Sequence, residues 1–181
     1  VFKKYNFYKK LLHQPKNNNH LLQDSNFTLV IIRDPSDIDK LVDNGFYFGF
    51  FQDVKRIKNL LSESAILFCI FYKKEWAHTS WLSITSGSSI DPFFQKEKLH
   101  NEGYIGTCST NPYYRGAGLY TYALKEICSF LISKNILIAK ISTAKNNMAS
   151  IAGISNAGFS LYSEGYNLNI MGWKSWIIKN P

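Results

Sequence analysis

A strand followed at once by a glycine-rich turn and a helix is the feature that most constrains this fold. It occupies residues 102–124, with the sequence EGYIGTCSTNPYYRGAGLYTYAL. The residues from Tyr104 to Cys108 favour a half-buried strand, and Pro112 prevents the strand from continuing. The segment after the turn has apolar residues at helical spacing: Leu119, Ala123, Ile127 and Leu131. Free N–H groups at such a helix start predict a site for phosphate or pyrophosphate.

Two common phosphate-binding loops do not occur in the sequence. There is no G-x-x-x-x-G-K-[ST], and no G-x-G-x-x-G with an acidic residue about 20 positions later. The glycine-rich loop that begins at Arg115 instead resembles motif A of the GNAT N-acetyltransferase superfamily, R-x-x-G-x-G/A. In that family the amides of the loop bind the pyrophosphate of acetyl-CoA. The positions matched here are Arg115, Gly116, Ala117, Gly118, Leu119 and Tyr120.

The match departs from the family at Tyr120, where Gly or Ala is usual. A large side chain there must point away from the cofactor, or the pyrophosphate must bind in a slightly different place.

A second segment, after a predicted buried strand at 136–144, resembles GNAT motif B. Asn147 opens a predicted helix, and Gly158-Phe159 ends it. The order of elements also matches the C-terminal half of the family over residues 64–179. The resemblance implies an α/β GNAT fold: a mixed, largely antiparallel twisted sheet of about six or seven strands, about four flanking helices, and a V-shaped splay after the fourth strand.

Composition agrees with one globular domain. The chain has 181 residues, of which 45% are hydrophobic and 19% are charged. Its apolar runs are too short to span a bilayer, and its basic amino terminus lacks the apolar core of a signal peptide. The three scattered cysteines lack metal-ligand spacing and favour a reducing compartment. We therefore expect a cytoplasmic protein that binds no metal.

The net charge of +8 is spread along the chain and is not massed in one arm. A solvated basic surface and a polyanionic cofactor such as CoA both account for it. Nucleic-acid binding is a rival hypothesis without a recognisable module, so we expect no nucleic-acid partner. A homodimer is an open alternative.

Residues 1–26 are rich in lysine, asparagine and aromatic residues, and we interpret them as an extension to a single domain at 27–181. Their apolar residues favour a docked helix or a partly ordered tail, with a membrane-surface or partner role as an alternative. Periodicity then predicts a strand at 27–32, helices at 36–42 and 52–62, and a hairpin at 65–84. The aromatic stretch at 46–51 favours core over a wall of the acceptor pocket.

The resemblance implies roles for further residues. The backbone amides of Cys108, Ser109 and Thr110 correspond to those that contact pantetheine and the thioester oxygen in the family. Asn147 and Ser150 correspond to contacts of the pantetheine arm, although helix capping alone also explains them. Direct transfer needs no protein nucleophile, so Cys108 is interpreted as a strand residue.

Three residues are candidates for the general base. Glu102 lies thirteen residues before Arg115, which resembles the position of the catalytic glutamate in the histone acetyltransferase branch, although a surface glutamate is an equal alternative. His78 and His100 are the others, because imidazole titrates near neutrality. The family's usual acid, a tyrosine seven residues after the motif B asparagine, is replaced by Ile154.

Together the motifs predict an N-acetyltransferase. It would move acetyl from acetyl-CoA to a primary amine of a small molecule, such as an amino sugar or another metabolite, by direct attack in a ternary complex. Peptide amines remain an open alternative for the acceptor. Because the acid is missing, a catalytically degenerate GNAT module that binds CoA for regulation or assembly is the alternative function.

Overall fold

A computed structural model describes residues 2–13, 24–49, 53–86, 90, 101–170 and 173–179 of the protein. Eight strands and four α-helices occur within these residues. In chain order they are β1 (Phe2–Leu11), β2 (Phe27–Ile32), α1 (Pro35–Asp43), α2 (Val54–Ser62), β3 (Ile66–Tyr72), β4 (Glu75–Ser83), β5 (Glu102–Thr110), α3 (Leu119–Ser133), β6 (Ile138–Ala144), α4 (Met148–Asn156), β7 (Ser160–Ile170) and β8 (Trp173–Lys179).

The strands form one sheet in the order β2-β3-β4-β5-β6-β1-β7-β8. All neighbouring pairs are antiparallel except β5 and β6, which are parallel. The mixed, largely antiparallel sheet with four helices confirms the predicted fold. The strand number exceeds the expected six or seven because residues 2–11 add a strand.

Two helical layers cover the two faces of the sheet. Ile38 of α1 and Leu61 of α2 join one core cluster, which also contains Phe71 of β3. The opposite cluster unites α3, α4 and side chains such as Phe68 of β3. Adjacent positions of β3 thus point to opposite buried faces, which explains why its sequence is continuously apolar, with no alternation.

The strand β1 corrects the expectation of a docked helix or tail. Residues 2–11 lie inside the sheet, antiparallel to both β6 and β7. Phe7 is buried in the cluster with α1 and α2, whereas Tyr8 is buried in the cluster with α3 and α4. This alternation is that of a strand with both faces covered, so these residues are an integral part of the sheet.

The parallel pair β5–β6 separates along its length. Pairing runs from Glu102 with Ile138 to Ile105 with Ile141, and the strands diverge beyond these pairs. On its other side β5 carries a β-bulge, because its register against β4 shifts between Thr79 and Trp81. Thr107 lies at the bulge with φ 40° and donates a 2.6 Å hydrogen bond to the carbonyl of Ile90. This is the V-shaped splay that the resemblance implies; it follows the fifth strand and not the fourth, because β1 adds a strand before the others.

Several local predictions agree with the structure. The predicted helices at 36–42 and 52–62 correspond to α1 and α2, and the hairpin turns between β3 and β4. In the aromatic stretch at 46–51, Phe48 is buried and packs edge-on against Phe71, as expected for core; Phe50 and Phe51 lie outside the described residues. No helix in the described part of the chain is long and apolar enough to cross a membrane.

Candidate functional site

A cavity of about 590 Å³ opens where β5 leaves β6. The carboxyl end of β5 and the amino-terminal turns of α3 and α4 form its walls. Its lining residues are His78, Cys108, Ser109, Thr110, Tyr114, Arg115, Gly116, Gly118, Leu119, Tyr120, Thr121, Asn147, Ala149, Ser150, Gly153 and Asn156. The cavity therefore joins motif A, motif B and the bulged strand.

The start of α3 presents its backbone to this cavity. Gly118 is the N-cap residue with φ 73°, and no side chain caps the helix. Gly116 has φ 85°, and a β-carbon at either glycine would have no atom within 4 Å. Positive φ explains why the loop requires glycine at both positions. The open amides, the helix dipole and the exposed side chain of Arg115 together favour an anion.

The start of α4 forms the facing wall. Asn147 caps this helix, since its Oδ1 accepts a 3.1 Å hydrogen bond from the Ser150 amide. Asn147, Ala149 and Ser150 all line the cavity. Capping therefore accounts for Asn147 in the described structure, and the position of both predicted motif B residues also suits contact with a ligand.

A chain of polar side chains follows the floor of the cavity across β4 and β5. His78 is fully buried; its Nδ1 is 2.7 Å from Thr110 Oγ1, and its Nε2 is 2.8 Å from Ser80 Oγ. Ser80 donates a 3.2 Å hydrogen bond to Cys108 Sγ. Because Ser80 gives its proton to sulfur, it accepts from Nε2–H, and Nδ1 accepts from Thr110. His78 is thereby held as one neutral tautomer.

Burial sets the protonation states of His78 and Cys108. It lowers the pKa of His78 to about 3, so the imidazole is neutral at physiological pH. Burial also raises the pKa of the Cys108 thiol to about 11, which outweighs the lowering by hydrogen bonds from Ser80 and Tyr120. A protonated thiol is a poor nucleophile, which fits the interpretation of Cys108 as a strand residue.

Tyr120 points into the space between α3 and α4. It lines the cavity, and its ring centroid is 5.8 Å from that of His78. Burial, together with the neighbouring Cys108, strongly raises the pKa of its hydroxyl, so the phenol stays neutral. The large residue at the usual Gly or Ala position thus turns toward the splay and leaves the outer glycine loop open.

The three candidate bases differ in where they lie relative to the cavity. Glu102 does not line the cavity and forms a 2.7 Å ion pair with Lys140. It lies six residues from Cys108 along β5, about 20 Å at strand spacing. His78 lines the cavity but has lost most of its basicity through burial. His100 lies outside the described residues. All three assignments stay predictions.

The structure adds residues that the sequence did not single out. Ser80 links His78 to Cys108, and Gly153 accommodates the ring of Tyr120. A glycine in the middle of α4, where no turn requires it, was a signal for close packing.

Ala117, a predicted loop residue, is exposed and is not among the residues lining the cavity, whereas Leu119 is buried and does line it. In the part of the chain that the structure describes, no three His, Cys, Asp or Glu residues form a metal-binding group.

Comparison with protein-family models and with curated protein sequences gives no match. Solved structures do match. A tandem GNAT protein from the clavulanic acid biosynthesis pathway aligns with 99% of this chain and 54% of its own, at 12% identity and a TM-score of 0.61. A glucosamine N-acetyltransferase region of a fungal multi-domain GH3 β-N-acetylglucosaminidase aligns with 89% of this chain and 20% of its own, at 8% identity and a TM-score of 0.63.

The third similar structure is AAC(6')-Ib, solved with paromomycin and acetyl-CoA. It aligns with 86% of this chain and 94% of its own, at 14% identity and a TM-score of 0.54. This chain thus spans about half the length of the tandem protein, a fifth of the fungal chain and nearly all of AAC(6')-Ib. The chain therefore has the fold of the GNAT acetyltransferases, as the two sequence motifs predict.

Proposed function

We propose that this protein is an N-acetyltransferase that moves acetyl from acetyl-CoA to a primary amine of a small molecule. The observation that carries the proposal is the cavity at the splay. It brings an uncapped helix start, an arginine and the bulged strand together in one space of about 590 Å³. These are the groups that a pyrophosphate, a pantetheine arm and a thioester need.

The residues present fit the parts of acetyl-CoA. The amides from Gly116 to Tyr120 would bind the pyrophosphate, with Arg115 as a charge-assisted donor. The pantetheine arm would enter the splay past the backbone of Cys108 to Thr110. Asn147 and Ser150 offer polar side chains from the opposite wall.

Direct attack suits this site. The neutral thiol of Cys108 argues against an acetyl-cysteine intermediate. No carboxylate is among the described residues that line the cavity. We therefore expect the acceptor amine to enter the site after losing its proton to solvent, so that the pH dependence of kcat/KM follows the pKa of the acceptor.

The acceptor class is part of the proposal. The similar fungal region is described as a glucosamine N-acetyltransferase, which supports an amino sugar as a first candidate.

The three cysteines are free, and we propose a reducing, cytoplasmic location for the protein.

Calorimetric titration with acetyl-CoA tests the cofactor site. A tryptophan that fills the cavity should block the cofactor. Gly118 does not suit this substitution, because its positive φ means that a large residue there would strain the backbone. Ala149 suits it better, because it is exposed and lines the cavity. Ala149→Trp should abolish binding, whereas its neighbour Met148, 69% exposed and not among the lining residues, should tolerate Met148→Trp. Absence of binding by folded wild type would refute the proposal.

The second step is a screen of amines with release of free thiol as the readout. Turnover with a small amine supports the enzyme. A CoA-binding module without catalysis is the alternative, and it is favoured by Ile154, fully buried at the family's acid position, and by the ion pair of Glu102. Tight binding of acetyl-CoA with no thiol release from any amine would favour that alternative.

A further inference from the structure

A second cavity, of about 510 Å³, lies where the amino-terminal end of β1 pairs with the carboxyl end of β6. Half of the described residues that line it are lysines; the set is Lys3, Lys4, Tyr5, Ala144, Lys145 and Asn146. We call it the lysine cavity. Lys145 is far from the other two lysines in the sequence, so this concentration of positive charge exists only in the folded sheet.

The three lysines lie close together although like charges repel. The Lys145 amide donates a 2.9 Å hydrogen bond to the Lys4 carbonyl, so the two residues are neighbours on adjacent strands. Like charges in such positions destabilise a sheet. Lys145 Nζ pairs with Glu164 at 2.7 Å, and Lys4 Nζ lies 5.9 Å from the centre of the Tyr166 ring. Among these described residues, three lysines and one glutamate leave a charge of +2.

This excess of positive charge suits an anion, and a phosphate monoester matches it best. A lysine ammonium is a point charge with three donors, and lysine commonly binds phosphate. A phosphate monoester carries a charge of about −1.5 to −2 at neutral pH, close to the opposite of the charge found here, whereas a carboxylate carries one negative charge. Asn146 adds an amide group to the lining of the same cavity.

One tight turn connects the lysine cavity with the cavity at the splay. Ala144 and Asn146 line the lysine cavity, whereas the next residue, Asn147, lines the cavity at the splay. The Asn147 amide donates a 2.9 Å hydrogen bond to the Ala144 carbonyl, which closes the turn. The ends of such a turn are within about 7 Å of each other. A small molecule whose amine lies in the splay therefore reaches the lysines with a second group.

We propose that the lysine cavity binds a phosphate on the acceptor, so that the substrates are primary amines that carry a phosphate monoester. This inference rests on the proposed function, because it assigns the acceptor of the same reaction. The phosphate orients the amine and takes no part in bond making. The amine nitrogen forms the C–N bond, the C–S bond breaks, and the sulfur of CoA gains the proton that the nitrogen loses.

The first test compares amines that differ in one anionic group. The compounds are glucosamine, its 6-phosphate and its 6-carboxylate, together with ethanolamine and O-phosphoethanolamine. Calorimetry measures their binding to protein saturated with CoA, which keeps the glycine loop occupied, and thiol release measures kcat/KM. The phosphorylated amine of a pair should be preferred by at least about tenfold, because hydrogen bonds to charged groups are worth that much. High salt should reduce the preference.

A double variant, Lys3→Met/Lys4→Met, tests whether the lysines are responsible. Methionine keeps an apolar stem of similar length and removes the charge. The preference for the phosphorylated amine should fall to about twofold or less, while binding of the unphosphorylated amine stays the same. Lys9→Met is the matched control, because Lys9 is exposed on the same strand and is not among the residues that line either cavity. It should keep the wild-type preference.

Glu164→Gln tests the proposal in the opposite direction. The carboxylate of Glu164 neutralises Lys145, so its removal leaves all three lysines without this ion pair. The affinity for glucosamine 6-phosphate should rise by about threefold, which is the range of an exposed ion pair. If the ion pair served the sheet alone, the affinity would stay the same or fall.

Acetyl-CoA separates this inference from the proposed function. Its affinity should be equal in wild type and in Lys3→Met/Lys4→Met. A loss of acetyl-CoA binding in that variant would assign the lysines to the phosphates of the cofactor and overturn the inference. The inference is also overturned by a preference that survives the double variant, by a stronger preference for the carboxylate, or by no preference at all. Each of these outcomes leaves the proposed function standing, whereas failure of wild type to bind acetyl-CoA overturns both.

Discussion

The ring of Tyr120 occupies the space that a side chain at position 153 would need. A β-carbon on Gly153 would lie 2.4 Å from Tyr120 Cδ1 and 2.9 Å from Cε1. The two residues are 33 positions apart, on α3 and α4. The tyrosine at the usual Gly or Ala position of motif A is thus accommodated by a glycine within the motif B helix.

This packing predicts that Gly153→Ala changes the free energy of unfolding in opposite directions in two backgrounds. Gly153→Ala in wild type should lower the free energy of unfolding by about 1–3 kcal/mol, because the ring must move. In a Tyr120→Ala background the same change should raise it by about 0.5–1 kcal/mol, because Ala favours a helix over Gly. Urea unfolding of the four proteins measures both effects. Equal effects in the two backgrounds would contradict the contact.

The buried His78 predicts a loss of stability in acid. Its native pKa is about 3, below the unfolded value of about 6.5, so as pH falls below 6.5 the unfolded chain binds a proton that the native ring does not. Stability should therefore fall by about 1.4 kcal/mol per pH unit, or about 2 kcal/mol between pH 6.5 and pH 5. Urea unfolding at both pH values measures it.

The matched control for that experiment is His78→Gln, which keeps a donor and an acceptor but does not titrate. The other ionisable groups are shared by both proteins. The difference in acid sensitivity between them should therefore be about 2 kcal/mol at pH 5. An identical pH dependence would mean that the pKa of His78 is not lowered in the native protein.

The ion pair of Glu102 with Lys140 predicts a structural effect. Both side chains are less than one-fifth exposed, and their atoms are 2.7 Å apart. Glu102→Gln leaves the ammonium poorly compensated and should lower the free energy of unfolding by about 1–3 kcal/mol. The double variant with Lys140→Met should recover much of that loss. If Glu102→Gln instead abolishes turnover without changing stability, Glu102 is the base after all.

Arg115 predicts a salt-dependent contribution to cofactor affinity. It is exposed at the mouth of the cavity, beside the glycine loop. Arg115→Ala should weaken binding of acetyl-CoA by about tenfold at low salt, with a smaller difference at 0.5 M salt because mobile ions screen the charge. Arg56→Ala, on α2 at the opposite face of the sheet, should bind as wild type does. Equal losses in both variants would indicate a general charge effect.

Motifs A and B could be identified from the sequence because each depends on residues close together in the chain. The glycines of the loop are required by local backbone conformation, and the cap at Asn147 by the helix that follows it. Such constraints are visible in a single sequence.

Other parts depend on distant partners. The strand β1 has lysines, tyrosines and an asparagine, and it becomes a strand because β6 and β7, which are far away in the sequence, cover both its edges. The direction of Tyr120 is likewise decided by Gly153. The ion pair of Glu102 could not be predicted either, because it requires the register of β5 against β6.

The place of β1 has a consequence for how the protein reaches its native state. The hairpin β7–β8 joins the rest of the sheet through β1, whose partners begin at Ile138. During synthesis β1 must therefore remain without its partners until β6 and β7 have been made. Closing so long a loop is slow. The cavity beside β6 should thus be completed late in folding, when β1 pairs with its distant partners.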